Sequence, residues 1–366
     1  MRRLTRRCLL FITVWSFTVG SLPSDAQRAR GETPSATSAT ISAKTPVFAG
    51  ACKACPWGIL AKVTADALSF YGYRTTICWV CWSNLGPRYM ADKTKPIMPA
   101  NAQFEVPEYI EPPPDAVPDI SATSESNLLD AWNGTGAYAA DHKQRHNYRV
   151  IAVIRTSTYV LAAASKKSGI TNLRQIKDRK EPTWITGGNG NDIIFQYYGI
   201  SVDDLKAKGG GLMPPVGTGD GRVTRERRAS ADVFIGSGLL ANTPEQRSWY
   251  EASQLNDLVF FEFEEPLIAR LAAQPGYFRA TVPLALFRGV DRPIPTVMRP
   301  NHLIYVRDDA PDEFAYNVAK ALDEHRDLFQ VQLEPWYYDP RTVAASSVIP
   351  LHPGAAKYYR EHGYVK

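Results

Sequence analysis

The sequence is poor in histidine and cysteine, with six His and five Cys among 366 residues. The histidines are scattered. No Ser/His/Asp arrangement, carboxylate pair or phosphate-binding Gly-x-x-x-x-Gly-Lys motif accompanies them. Nothing in the sequence therefore indicates a catalytic step. We expect a binding protein that is not an enzyme and that needs no cofactor.

Long apolar runs are absent after residue 19, and the early run Leu9–Val19 is too short to span a bilayer comfortably. Four arginines precede that run, and Ser24-Asp25-Ala26 offers a small-residue cleavage site. We predict that residues 1–26 are an export signal and that residues 27–44, rich in Ser, Thr and Ala, are a disordered leader. The expected location is the periplasm. An uncleaved membrane anchor is the alternative.

A strong excess of charge is also missing. Removal of residues 1–26 takes away four Arg and one Asp, so the formal net charge falls from +5 to +2. No basic stripe with interleaved aromatic residues is present either. The sequence therefore argues against a nucleic-acid partner, and we expect an exported, soluble monomer.

Most of the cysteine that is present lies in one stretch, residues 50–84. Between its two Cys-x-x-Cys pairs, apolar residues recur at helical spacing, Gly72 follows at a C-cap position, and residues 75–80 favour a strand. With residues 46–49 as a preceding strand, the pattern is β-loop-α-β. A right-handed crossover brings both cysteine pairs to the carboxyl edge of one sheet, where open α/β sheets bind ligands. The pairs are Cys52, Cys55, Cys78 and Cys81.

These four cysteines allow three kinds of chemistry. In an oxidising compartment they form two disulfides, and we favour cross-links between the two loops, which would close about 25 residues and stabilise the fold by about 3 kcal/mol. The spacing also approaches that of a four-thiolate metal site. A Cys-x-x-Cys at a helix N-terminus can be redox-active as well.

The remaining chain alternates strands and helices, which indicates an α/β architecture. One region departs from this pattern, because residues 89–118 contain seven prolines that disfavour a helix or a central strand. We interpret it as an extended surface insertion. Its prolines are Pro96, Pro99, Pro107, Pro112, Pro113, Pro114 and Pro118.

From about residue 119 onward the chain resembles the TAXI-type periplasmic solute-binding proteins of TRAP transporters. The resemblance rests on short stretches that occur in the same order along the chain. They are Asp119-Ile120-Ser121, Ala131-Trp132-Asn133-Gly134, Ser168-Gly169-Ile170-Thr171-Asn172-Leu173, Gly187-Gly188-Asn189-Gly190, Ala231-Asp232-Val233-Phe234, Pro275-Gly276-Tyr277 and Leu351-His352-Pro353-Gly354.

The resemblance implies a two-lobed type II periplasmic-binding-protein fold that traps a ligand between α/β lobes by hinge closure. We expect lobe 1 to comprise residues 45–155 and 300–366, and lobe 2 to comprise residues 156–299. The implied ligand is a small organic anion of the carboxylate or amino-acid class, and the implied partners are the membrane subunits of a TRAP transporter. A periplasmic sensory receptor, or a metal-binding or thiol-redox protein on the same fold, are the alternatives.

Candidate ligand-binding residues follow the predicted strand ends. Aromatic rings can stack on a ligand, hydroxyl and amide groups can bond it, and a glycine-rich loop can present backbone N–H groups to an anion. Core packing, helix capping and a simple β-α turn are the corresponding structural roles. The candidates are Trp57, Trp82, Ser83, Asn84, Thr123, Tyr159, Gly188, Asn189, Gly190, Asn191 and Ser237.

Overall fold

The computed structural model of the protein describes residues 40–41, 43–50, 56–82, 84–98, 113–156, 158–186, 192–213, 230–238, 248–299, 301–332, 338–345 and 348–366. All of them belong to one compact unit, Ser35–Lys366. The predicted export signal, Cys52, Cys55, Ser83 and the glycine-rich loop at residues 187–191 lie outside the described residues.

The described residues form twelve strands and eleven α-helices. The strands are β1 (Val47–Ala49), β2 (Thr76–Ile77), β3 (Ile120–Ser124), β4 (Tyr148–Ile154), β5 (Tyr159–Ser165), β6 (Trp184–Thr186), β7 (Gly211–Met213), β8 (Val233–Gly238), β9 (Leu258–Phe260), β10 (Phe278–Val282), β11 (Ile294–Met298) and β12 (His302–Arg307). The helices are α1 (Pro56–Ser69), α2 (Gly86–Ala91), α3 (Glu125–Asn133), α4 (Gln175–Asp178), α5 (Asp192–Tyr198), α6 (Val202–Ala207), α7 (Ser248–Leu255), α8 (Glu265–Ala272), α9 (Asp312–Glu324), α10 (Asp327–Gln332) and α11 (Pro353–Glu361).

The strands build two separate sheets. Sheet A has the order β2-β1-β3-β12-β4, in which β12 is antiparallel to both of its neighbours and β1 is parallel to β2 and β3. Sheet B has the order β10-β11-β5-β8-β6-β7, and β9 pairs with β5 beside this path. The predicted α/β class is confirmed.

Each sheet has its own hydrophobic cores. Helices α1, α9 and α11 cover one face of sheet A, where Leu60 and Phe314 pack with Ile304 of β12. Helix α3 covers the other face, where Leu128 packs with Leu303. Sheet B is likewise packed on both faces by two further clusters. Two sheets with independent cores make the molecule two-lobed, with sheet A in lobe 1 and sheet B in lobe 2.

Local sequence signals account for the elements around the first strands. The predicted β-α-β unit forms, since β1 pairs in parallel with β2 and α1 lies between them in the chain. Ser124 accepts a hydrogen bond from the backbone N–H of Asn127 and so caps α3. Gly134 ends that helix in the left-handed conformation at φ 70°.

Two expectations about elements were wrong. Helix α2 extends three residues into the region predicted to be an extended insertion, because Pro87 lies at its first turn, where proline is tolerated. In addition, strands β7, β10 and β11 form although no strand was predicted there. Among the described residues, no helix combines the length and the apolar character needed to cross a bilayer.

Candidate ligand-binding site

In each sheet, the strand ends from which the chain passes to the other lobe lie together at one edge. In sheet A, His302 at the start of β12 lies opposite Ser124 and Ile154, the last residues of β3 and β4. In sheet B, Tyr159 at the start of β5 lies opposite the last residues of β8 and β11. The chain therefore crosses twice between these edges, through residues 155–158 and 299–301.

The two segments that cross between the lobes, called the crossings below, are hydrogen-bonded to each other. The backbone N–H of Arg299 donates to the carbonyl of Thr158 over 2.9 Å, which continues the pairing of β11 with β5 by one residue. The hydroxyl of Thr156 donates to the carbonyl of Arg299 over 3.4 Å. The exposed Arg299 side chain donates from Nη1 to the Ser237 hydroxyl of β8 over 3.1 Å. Arg299 is thus a cation at the junction of the two lobes.

On the lobe 1 side of this junction, an aromatic pair lies between α1 and β12. The ring of Trp57, in the first turn of α1, meets the His302 ring edge-on with 5.6 Å between the centroids. Only 9% of His302 is exposed. Within the described part of the chain, neither His302 Nδ1 nor Trp57 Nε1 has a hydrogen-bond partner. These are buried polar atoms that a ligand could satisfy.

The charge state of His302 follows from its surroundings. Burial disfavours the protonated ring, and the charge of Arg299 adds to this effect, so the pKa of His302 is lowered to about 3. The imidazole is therefore neutral at physiological pH, with one ring nitrogen as a donor and the other as an acceptor. The junction accordingly brings the Arg299 guanidinium close to neutral hydrogen-bonding groups.

On the other face of sheet A, two candidate residues belong to one internal network. Asn127 Nδ2 donates to the Thr123 hydroxyl over 2.9 Å and to the Tyr138 hydroxyl over 3.0 Å. The Tyr138 hydroxyl in turn donates to the backbone carbonyl of Asn84 over 2.8 Å. Thr123 is fully buried. The structure thus brings the candidates Asn84 and Thr123 together. The hydrogen bonds that join them lie within lobe 1 and stabilise it, and they do not present these residues to a ligand.

The other described candidates lie at the two sheet edges. Trp82 is half-buried, and its Nε1 is buried with no hydrogen-bond partner among the residues described. Tyr159 and Ser237 are on the neighbouring strands β5 and β8. Next to Ser237, a side chain added at Gly236 would meet no described residue within 4 Å. Ser83, Gly188, Asn189, Gly190 and Asn191 lie outside the described residues.

The cysteines depart from the favoured pairing. Cys78 is bonded to Cys81, three positions away, so these two cannot cross-link the loops as we predicted. Both are fully buried and pack with Ala49 and Tyr89. The end of β2 brings them close enough to bond to each other. The described residues contain no group of three or more His, Cys, Asp and Glu side chains that could hold a metal ion.

Sequence reasoning missed Arg299 and His302. A signal was available for Arg299, because it directly precedes the predicted lobe boundary at residue 300. His302 begins β12, and no local pattern marks it as different from other strand residues. Its contact with Trp57 depends on the pairing of β12 with β3 in the folded chain.

Comparison with known protein families identifies the family of this chain. The NMT1-like family matches residues 117–363. The chain belongs to the NMT1-like family. The matched range includes β3, β4 and β12 of sheet A and every strand of sheet B.

Solved structures similar to this NMT1-like protein come from several bacteria. MatC from Rhodopseudomonas palustris with bound malate has 12% identity and a TM-score of 0.40, over 78% of this chain and 87% of that one. XAC2383 from Xanthomonas citri bound to chloride ion has 12% identity and a TM-score of 0.38, over 87% and 95%. Substrate-binding domain 2 of GlnP from Lactococcus lactis has 10% identity and a TM-score of 0.34, over 81% and 97%. These TM-scores are too low to decide anything about this chain.

Proposed function

We propose that this NMT1-like protein is an exported receptor that captures a small organic anion between its lobes by hinge closure and performs no chemistry on it. The observation that carries the proposal is the position of Arg299. It lies at the junction of the lobes, bonded to Ser237 of lobe 2 and near enough to His302 of lobe 1 to influence its protonation.

The guanidinium of Arg299 suits an anion for two reasons. It is always charged, and it presents five N–H donors in a planar fork that fits a carboxylate. One hydrogen bond from this side chain, to Ser237, is found among the described residues. As far as the described residues go, its other donors are left for a ligand. The exposed side chain can therefore exchange water for a carboxylate at little cost in burial.

Two indole N–H groups of lobe 1 add donors to the proposed site. Trp57 meets the His302 ring, Trp82 follows β2, and the Nε1 of each is buried without a partner in the described part of the chain. Donors at a sheet edge complement the acceptor oxygens of an organic anion. The aromatic rings add apolar surface for the carbon skeleton of the ligand.

We further propose delivery of the ligand to the membrane subunits of a TRAP-type transporter, by a monomer located in the periplasm. The order of the TAXI-like motifs along the chain supports this partner, and the predicted export signal supports this location. The lobe boundaries at residues 155/156 and 299/300 remain part of the proposal, which the positions of the two crossings support. No observation favours a metal-binding, thiol-redox or sensory role.

The proposal is tested with the variant Arg299→Gln. Loss of a charge-assisted hydrogen bond to a carboxylate should weaken binding about 10-fold to 100-fold. Thermal shifts with a panel of small mono- and dicarboxylates identify ligands, and isothermal titration calorimetry gives the dissociation constants. Wild-type protein should be stabilised by at least one carboxylate, and the variant much less.

Arg270→Gln is the matched control, because Arg270 is an exposed arginine on α8 of the same lobe. It should bind as wild type does. Unchanged affinity in Arg299→Gln, with a carboxylate that binds the wild type, would remove the basis of the proposal.

A further inference from the structure

His302 carries an unsatisfied polar atom at the junction of the lobes. The residue is nine-tenths buried, yet its Nδ1 has no hydrogen-bond partner in the described part of the chain. Unpaired polar atoms are rare in protein interiors and call for an explanation. A bound ligand that pairs with the imidazole would explain both the unpaired Nδ1 atom and the position of His302 at the junction of the lobes.

The direction in which His302 points follows from the alternation of side chains along β12. Ile304 and Val306 pack against α1 and α9, whereas Leu303 and Tyr305 pack on the opposite face. His302 therefore shares the face of Ile304, as its contact with Trp57 confirms. This places the ring beside the first turn of the 14-residue helix α1, whose dipole favours an anionic ligand there.

We propose that His302 selects ligands that carry a hydroxyl group beside the anionic group, so that the preferred ligand class is a small hydroxy carboxylate. This inference rests on the proposed function, since it takes Arg299 as the residue that holds the carboxylate. It assigns to His302 a direct contact with the ligand hydroxyl.

A hydroxyl fits this position better than the two obvious alternatives. It can both donate and accept, so it satisfies either tautomer of a neutral imidazole. An ammonium group can only donate, and it would place a second positive charge in the field of Arg299, the same field that opposes protonation of His302. A ligand with only C–H groups there would leave Nδ1 unpaired.

The test compares three four-carbon dicarboxylates that differ in one substituent: malate with a hydroxyl, aspartate with an ammonium group and succinate with neither. Dissociation constants are measured by calorimetry for the full mature chain. We expect malate to bind at least about 10-fold more tightly than succinate and aspartate, because a site built to bond a hydroxyl discriminates against analogues that lack it.

Two variants assign the preference to His302. In His302→Phe, which keeps an aromatic ring against Trp57, the malate-to-succinate ratio should fall to about 1 while succinate affinity stays within about 3-fold. His302→Asn keeps an acceptor close to the position of Nδ1 and should retain part of the ratio. His325→Phe, which replaces a histidine stacked on Phe70 of lobe 1, is the matched control and should leave the ratio unchanged.

A spectroscopic readout covers the case in which His302→Phe does not fold. In wild-type protein with 15N-labelled histidine, malate should shift the His302 ring nitrogen resonances, and succinate should not. Equal affinities for malate and succinate, tighter binding of aspartate, binding of none of the three, or an unchanged ratio in His302→Phe would each overturn the inference. The proposed function fails separately, through Arg299→Gln.

Discussion

At the residue scale, His302 couples the stability of lobe 1 to pH. Its folded-state pKa of about 3 lies below the value of about 6.5 expected in the unfolded chain. The folded protein therefore cannot take up a proton at this ring where the unfolded chain can. The contribution of His302 to stability is complete above pH 6.5 and is lost progressively as the pH falls from 6.5 towards 3.

Replacement of His302 by Asn should remove this pH dependence. Between pH 7.5 and pH 5.5, the free energy of unfolding of the wild type should fall by about 1.4 kcal/mol more than that of the variant, because one proton is taken up on unfolding. Urea unfolding at the two pH values, without ligand, measures the difference.

All other ionisable side chains are the same in both proteins, so their contributions cancel in this comparison. If the free energy of unfolding depended on pH equally in the wild type and in His302→Asn, the His302 ring would take up its proton in the folded protein as readily as in the unfolded chain. The same result would weaken the inference that a neutral imidazole meets the ligand.

At the element scale, the turn after β2 is fixed by a local covalent bond. The Cys78–Cys81 disulfide closes a very short loop, so it constrains the unfolded chain less than the loop-to-loop cross-link expected from the sequence. Its sulfur atoms also fill space between Ala49 and Tyr89, where β1 meets α2. The bond therefore acts on the docking of neighbouring elements.

The double variant Cys78→Ala/Cys81→Ala should lower the free energy of unfolding by about 2 kcal/mol, the loop-closure value for so short a loop. Guanidinium unfolding measures it. The connectivity is checked by tryptic digestion without reductant, because residues 75–88 contain both cysteines and no internal Lys or Arg.

That peptide should appear alone and two hydrogens lighter than its reduced form. A peptide joined to one that contains Cys52 or Cys55 would instead restore the cross-link between the loops. Cadmium or zinc retained by the native protein, with all four thiols free after denaturation, would restore the metal site.

At the scale of the whole molecule, the two crossings are anchored differently at their two ends. Arg155 pairs with Asp339 of lobe 1 at 3.4 Å, whereas Thr158 bonds to Arg299 at the end of sheet B. Similarly, Arg299 extends sheet B while His302 begins the sheet A part of the chain. Rotation of the lobes is therefore expected within residues 155–158 and 299–302, directly beside the proposed site.

Ligand binding should close the lobes about these crossings. Small-angle X-ray scattering should show a smaller radius of gyration when the carboxylate that gives the largest thermal shift is added at saturation. Arg299→Gln at the same ligand concentration should scatter as the unliganded protein does. An identical radius of gyration for free and saturated wild type would argue against hinge closure.

Some of this organisation was accessible from the sequence because its signals are local. The apolar stripe before Gly72 is such a signal, and the β-α-β unit predicted with it is confirmed. The Ser124 cap and the Gly134 stop also act within one helical turn. Strand β11 escaped prediction because Pro295 argues against a strand. In the fold Pro295 lies opposite Thr281 of β10, and the backbone of β11 pairs with β5 at Met298, three residues further along, so the missing N–H is tolerated.

The α/β class, the order of the first elements and the set of aromatic, hydroxyl and cysteine side chains available for a site follow from residue types and their spacing. Which of these side chains meet depends on how the chain folds. The pairing of β12 with β3 brings His302 to Trp57, the end of β11 brings Arg299 to Ser237, and Cys78 bonds to Cys81. These contacts depend on sheet register and burial between distant segments, which local sequence patterns do not encode.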